Sequence, residues 1–215
     1  MGDILIPIFL SKTRFFANVP KQTMSNLLDQ YLLFRVRTRR DPEAFTKLYD
    51  RYVSAIYRFV FLKVPTKETA EDITSETFLK CWQAVLQQKE VWHVRALLYR
   101  IARNLIADVY RKAGPVESLD ASVTFLEEVT STHSERDISD KKRGQRQIEA
   151  QTDVHLVLEA VKRLKEDYQD VVTLRLIDDL PFDDIARILE KKPGAVRVIF
   201  HRAMKKLDDL VNAET

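Results

Sequence analysis

Arg95-Ala-Leu-Leu-Tyr-Arg-Ile-Ala-Arg-Asn-Leu-Ile-Ala-Asp-Val-Tyr-Arg-Lys112 is the stretch whose reading decides the fold. Leu98, Ala102, Leu105 and Val109 recur at three- and four-residue steps, with Leu97, Ile101 and Ile106 beside them, which predicts one long helix with an apolar back. Arg100, Arg103, Asn104 and Arg111 fall on the opposite side, where Asp108 is the one acid. A helix with a buried back and a basic, amide-bearing front suits nucleic acid. Taken alone, the pattern also fits an ordinary solvated basic face.

Upstream, Gln87-Gln-Lys-Glu-Val-Trp-His-Val94 reads as a polar loop that presents Trp92 beside the basic helix. Two roles are open to Trp92: core packing, or stacking on an unpaired base, which contributes roughly 1–3 kcal/mol per base. Before the loop, Thr66 or Thr69 caps a helix running from Glu71 through Trp82. Phe78, Leu79 and Trp82 are its core candidates, Ile73, Thr77 and Lys80 leave a mixed face, and Glu71, Asp72 and Glu76 form an exposed negative patch. Asp41-Pro42-Glu43 combines an acidic cap, a first-turn proline and an early glutamate, a strong helix start. The helix that follows is expected to bury Phe45, Leu48, Tyr49, Tyr52 and Ile56. Asn26 to Arg40 predicts a short helix with a basic end. Residues 1–23 read as a disordered extension: Ile4 to Leu10 is apolar, but it is short, interrupted by Pro7 and lacking the marks of a signal peptide.

Downstream, residues 113–150 change character, with Gly114-Pro115, many serines and threonines and mixed charge; they predict a flexible linker with one short helical turn near Phe125–Val129. A flexible chain of that length spans on the order of 35 Å, enough to hold two domains apart. The first domain is then 24–112 and the second 151–215. In the second, Val154, Leu158, Val161 and Leu164 line one helix and Tyr168 to Ile177 forms another. Pro181, with Asp183 and Asp184, starts a short helix, and Glu190 to Gly194 makes a turn. Val196, Phe200, Ala203 and Leu207 form the buried face of a last helix, leaving Arg197, His201, Arg202 and Lys205 outside. The pair is a helix-turn-helix whose second helix suits a major groove. A plain antiparallel helix pair with a solvated basic face is the alternative.

Composition bounds the rest. Four glycines, 45% hydrophobic residues and no strand-like alternation predict an all-α protein of two small helical domains. A net charge of +3 from 35 basic and 32 acidic residues is modest, so a nucleic-acid surface must come from local clustering. Cys81 is the only cysteine, which excludes a disulfide framework and fits a reducing cytoplasm. The four histidines lack metal-ligand spacing. No phosphate-cradling glycine loop and no catalytic constellation is present, so the reading is of a non-enzyme with no catalytic residue, no metal and no cofactor.

These pieces together resemble the bacterial RNA polymerase sigma factors of the short, two-domain extracytoplasmic-function type, over about Leu27 to Leu210. Asp41-Pro-Glu-Ala-Phe-x-x-Leu-Tyr49 is similar to the opening of the family's promoter-melting domain, sigma region 2. Ala70-Glu-Asp-Ile-x-x-Glu-x-Phe-Leu-x-x-Trp82 is similar to its polymerase-docking helix, and Leu98-Tyr-Arg-Ile-Ala-Arg-Asn104 to its minus-ten-reading helix. Leu180-Pro-Phe-Asp-Asp-Ile-Ala186 through Leu207 is similar to the minus-thirty-five helix-turn-helix of region 4.

The resemblance implies a cytoplasmic protein that binds core RNA polymerase and directs promoter-specific initiation, without membrane insertion. It implies that Asp72, Glu76, Phe78 and Leu79 contact the beta-prime clamp helices. Trp92, Arg100, Arg103, Asn104 and Arg111 then serve the minus-ten region, with an unpaired base held by the loop at Val91–Val94 and Asn104 near that pocket. Arg197, Val198, His201, Arg202 and Lys205 serve the minus-thirty-five duplex, and the second domain sits on the beta flap. An anti-sigma factor has a place among such partners. Two departures stand out. Leu97 occupies a position that is usually tryptophan in the family, and Ala195, Val198, Ile199 and Met204 replace residues that are often polar or basic. Alanine and valine can touch a thymine methyl but cannot read a purine edge. The rival readings are a polymerase-independent helix-turn-helix regulator and a helical interaction protein that binds no DNA.

Overall fold

The computed structural model of the protein describes residues 21–87, 91–113 and 156–213, and every regular element among them is helical. The expected turn near Phe125–Val129 lies outside the described residues. Helix α1 spans Lys21–Arg39, α2 Pro42–Phe61, α3 Lys67–Leu86 and α4 Val94–Ala113. Then come α5 at 156–162, α6 at Glu166–Val172 with a π-helical turn at Thr173–Ile177, α7 at Phe182–Leu189 and α8 at Pro193–Asn212.

Local chemistry sets the boundaries. The Asp41 carboxylate accepts from the Glu43 and Ala44 amides at 3.0 and 3.1 Å, which satisfies first-turn donors that α2 leaves open. Arg35 Nε donates to the same carboxylate at 2.8 Å, so the cap also fixes the α1–α2 corner. Thr66 Oγ1 accepts from the Thr69 amide at 3.2 Å and starts α3. Helix α1 begins at Lys21, five residues before the expected start, so residues 21–23 belong to a helix rather than to the N-terminal extension. No glycine or proline falls between Lys21 and Arg39 to stop it.

Helices α1 to α4 pack around Leu48, Ile56, Phe59, Leu98 and Tyr99, all at most 1% exposed. Thr74 and Thr77 are also buried, because each hydroxyl donates to the carbonyl four residues back, Ala70 and Ile73, at 2.7 Å. Those threonines turn α3 by one residue relative to the expected face. Leu79, a core candidate, is 55% exposed, and Tyr49 on α2, expected inside, is 40% exposed.

In the second half the backbone turns sharply at Glu190, with φ of 54°, and the Lys191 amide closes on the Ala186 carbonyl at 3.0 Å. Helix α8 then starts at Pro193, so the turn is shorter than the Glu190–Gly194 span expected. Gly194 lies inside the helix, and a Cβ there would meet nothing within 4 Å.

The two halves do not stand apart. Helix α7 lies on α4, and Ile185, Ile188 and Leu189 join the same apolar core as Leu98 and Ala102. The expectation of two units held at a distance is thereby corrected. Burial of those α7 side chains, together with the ion pairs described below, closes the second half onto the first.

Candidate nucleic-acid interface

The recognition-helix residues predicted from sequence fall together. Arg197, Val198, His201, Arg202 and Lys205 are all exposed on α8, while Val196, Ala203 and Leu207 are buried beneath them. Phe182 and Phe200 meet edge-on with centroids 5.5 Å apart, and the Arg197 guanidinium sits 5.6 Å above the Phe182 ring. The outward face is therefore a cationic stripe with one apolar point, Val198, on a braced support.

The minus-ten candidates divide. Trp92 is 69% exposed, and Asn104 and Arg111 lie on the surface. Trp92 and Asn104 are not brought together: ten residues of helix separate Val94 from Asn104, about 15 Å along the axis. Sequence reasoning also passed over Gln30, whose amide donates to the backbone carbonyls of Val91 and Trp92 and ties α1 to that loop. Nothing in the one-letter pattern pairs residues sixty positions apart.

Arg100 and Arg103 are occupied. Arg100 pairs with Glu190 at 2.5 Å, and Arg103 Nε lies 2.7 Å from Asp170 and its Nη2 3.8 Å from Glu166. Asp170 is fully buried and also accepts from Lys63. Burial pushes the Lys63 ammonium below its usual range, and Asp170 opposes that shift. One step along the interface, Asp178 takes the Tyr99 hydroxyl at 2.7 Å and Arg58 at 3.1 Å. Burial raises the Asp178 carboxyl above the ordinary carboxylate range, against those two donors, and holds the Tyr99 phenol well above 10. Arg95 meets Asp184 at 3.3 Å. Asp170 and Asp178, eight residues apart, were missed from sequence. A buried acid amid Val171, Val172 and Leu174 was the signal available.

The acidic face of α3 presents Asp72 and Glu76 with Leu79 and Tyr49 beside them, all exposed. Phe78 is only 4% exposed and packs against Tyr49 and Phe45, with centroids 4.7 and 6.5 Å away. Its predicted role as a surface contact is corrected: Phe78 supports that face from below. Among the described residues no group of side chains is arranged to hold a metal ion, and no helix is long and apolar enough to cross a membrane.

Comparison with known proteins gives two family matches in chain order. Residues 48–115 match the family described as Sigma-70 region 2, and residues 155–207 match Sigma-70, region 4. The chain is 30% identical over 182 residues to the RNA polymerase sigma-H factor of Pseudomonas aeruginosa, spanning 84% of this chain and 92% of that one. It is 33% identical over 175 residues to the ECF RNA polymerase sigma factor BldN of Streptomyces coelicolor, spanning 80% of this chain and 61% of BldN. The fold resembles that of CnrH, solved in complex with the cytosolic domain of CnrY, with a TM-score of 0.60, 19% identity and coverage of 88% and 98% of the two chains.

Proposed function

Because the chain belongs to the RNA polymerase sigma factors of the ECF type, we propose that three of its faces divide the work of promoter-specific initiation. Region 2 takes in residues 24–112 and region 4 residues 151–215. The protein binds core RNA polymerase, selects promoters and helps to open them, in the cytoplasm and without a catalytic site of its own.

Helix α3 docks on the beta-prime clamp helices. Leu79 and Tyr49 supply apolar contact, Asp72 and Glu76 supply charge for basic partner residues, and Phe78 keeps the surface in shape. Helix α8 enters the major groove near minus thirty-five, where Arg197, Arg202 and Lys205 meet phosphate and Val198 meets a thymine methyl. The Trp92 loop and the basic side of α4 engage the opened minus-ten strand, with Trp92 stacking on a base and Arg100, Arg103 and Arg111 following the phosphates. Unstacking costs roughly a few kcal/mol per step, which stacking and phosphate contacts offset. Region 4 sits on the beta flap, and an anti-sigma factor acts by covering one or more of these faces.

The observation that carries this reading is the pair of region matches, in order, on a chain whose second match contains a helix-turn-helix with an exposed cationic stripe. A polymerase-independent regulator is not favoured, because it gives the exposed α3 face no task. Run-off transcription with core polymerase on a selected promoter library tests the proposal. Defined start sites that require this protein are expected. Transcripts indistinguishable from core polymerase alone would overturn it.

A further inference from the structure

Charge on the second half is not confined to the stripe on α8. Beside that helix lies a cleft of about 460 Å³. One bank is Arg202, Lys205, Lys206 and Asp209 of α8; the other is Arg163 and Lys165, in the turn between α5 and α6. All six are exposed, so five cations face one acid. The neighbouring acids of α6 are engaged elsewhere: Glu166 lies 3.8 Å from Arg103, and Asp167 lies 3.3 Å from Lys191. Among the described residues no ion pair holds Lys165, Arg202, Lys205 or Lys206. Leu164, between the two cations of the turn, shares a small core with Ala203 and Leu207 of α8, so the spacing of the banks is fixed within the second half itself. Like charge gathered at fixed spacing destabilises the folded chain, and a bound polyanion removes that repulsion.

Position decides which polyanion fits. Arg202 and Lys205 belong both to the cleft and to the stripe assigned to the minus-thirty-five duplex, so the cleft continues the groove-facing surface. From Arg202 to Asp209 α8 runs about 10 Å, and one DNA strand carries a phosphate at roughly every 3.4 Å of axis. The base-reading end of α8 is sparse by comparison: Ala195 and Val198 are exposed there, and neither can read a purine edge. We propose that Arg163 and Lys165, outside the helix-turn-helix, close on the duplex backbone flanking the minus-thirty-five bases, with consecutive phosphates of one strand held in the cleft between them and α8. The inference rests on the assignment of α8 to that duplex made above. It shifts part of the binding from base edges to backbone. The chain then tolerates base changes at minus thirty-five and responds steeply to salt.

The test uses the full chain. Arg163→Gln combined with Lys165→Gln removes two charges from exposed positions. Arg39→Gln combined with Lys47→Gln, exposed on the first half, supplies a matched loss of charge. Fluorescence anisotropy across a potassium chloride series reads binding of a 30-base-pair duplex carrying a minus-thirty-five sequence selected with the wild-type protein. Phosphate-ethylation interference on the same duplex reads which phosphates are touched. The Arg163→Gln, Lys165→Gln variant is expected to bind about tenfold more weakly than the control pair and to lower the slope of log affinity against log salt by about 2. Its ranking of duplexes with altered minus-thirty-five bases should equal that of wild type. Ethylation at one or two flanking phosphates should block wild type and leave the variant indifferent. Affinity and slope equal to the control's, or an interference pattern equal to wild type's, would overturn the proposal. Unchanged duplex binding with weakened binding to core polymerase would also overturn it, and would give the cleft to an acidic protein surface. Loss of binding in Arg202→Ala without loss in the Arg163→Gln, Lys165→Gln variant sinks the cleft alone, whereas indifference of both variants sinks the assignment of α8 as well.

Discussion

Lys63 and Asp170 show how much can hang on one pair. Both are withdrawn from water, and Asp170 also anchors Arg103. Removing one partner of a buried pair leaves the other charge uncompensated, at a typical cost of 3–5 kcal/mol. Asp170→Ala should therefore lower the unfolding free energy from urea titration by that amount, while the Lys63→Met, Asp170→Leu double replacement should recover much of it. Equal destabilisation in both variants would contradict the account. Asp41 has a different pH signature. Its carboxyl is held below the ordinary range by the Ala44 amide first, then by Arg35. A depressed folded-state value stabilises the fold above the unfolded value of 3.8, and that contribution is lost as pH falls through the depressed value. The stability gap between wild type and Asp41→Ala should be full at neutral pH and narrow only below about 3.8, followed by denaturant titration across pH. A gap independent of pH would mean the carboxylate's charge is immaterial there.

Helix identity and helix ends were legible because their signals are local. Asp41-Pro42 and Thr66 act within one turn, and the four-three-four spacing of Val196, Phe200, Ala203 and Leu207 needs no partner to be read. The face of α3 was not legible in full. Phe78 and Leu79 are neighbours about 100° apart on the helix, and only the burial of Thr74 and Thr77 decides which of the two is inside. Threonine in a core breaks the apolar count on which periodicity depends, and its bond to the preceding turn is invisible in composition. For α8 the sequence was enough, and a prediction belongs at that scale. Arg202→Ala should weaken promoter binding evenly across sequences and reduce the slope of log affinity against log salt by about 1. Val198→Ala should instead leave the slope alone and shift preference at a thymine position. An unchanged slope for Arg202→Ala would remove that residue from the phosphate contacts.

What the sequence could not convey was the closure of the two halves. The composition of residues 113–150 signals a tether, which is compatible with separated and docked units alike. Docking depends on pairs such as Arg58 with Asp178, 120 positions apart, and on Ile185 and Ile188 of α7 completing a core begun by α2 and α4. A shared core has a thermodynamic consequence. Calorimetry of the full chain at low salt should show one cooperative transition rather than two, because unfolding α7 exposes apolar surface on both halves at once. Two resolved transitions with independent midpoints would mean that the halves melt as separate bodies.

The corner at Glu190 ties two of these scales to a single side chain. Its left-handed backbone is the conformation glycine adopts without penalty, and a longer residue there stores roughly 1 kcal/mol or more. Glycine at this position would ease the bend between α7 and α8 and, in the same stroke, release Arg100. Glu190→Gly should thus yield a protein whose isolated bend is more relaxed yet whose grip on itself is looser, a sturdier hinge on an unfastened clasp.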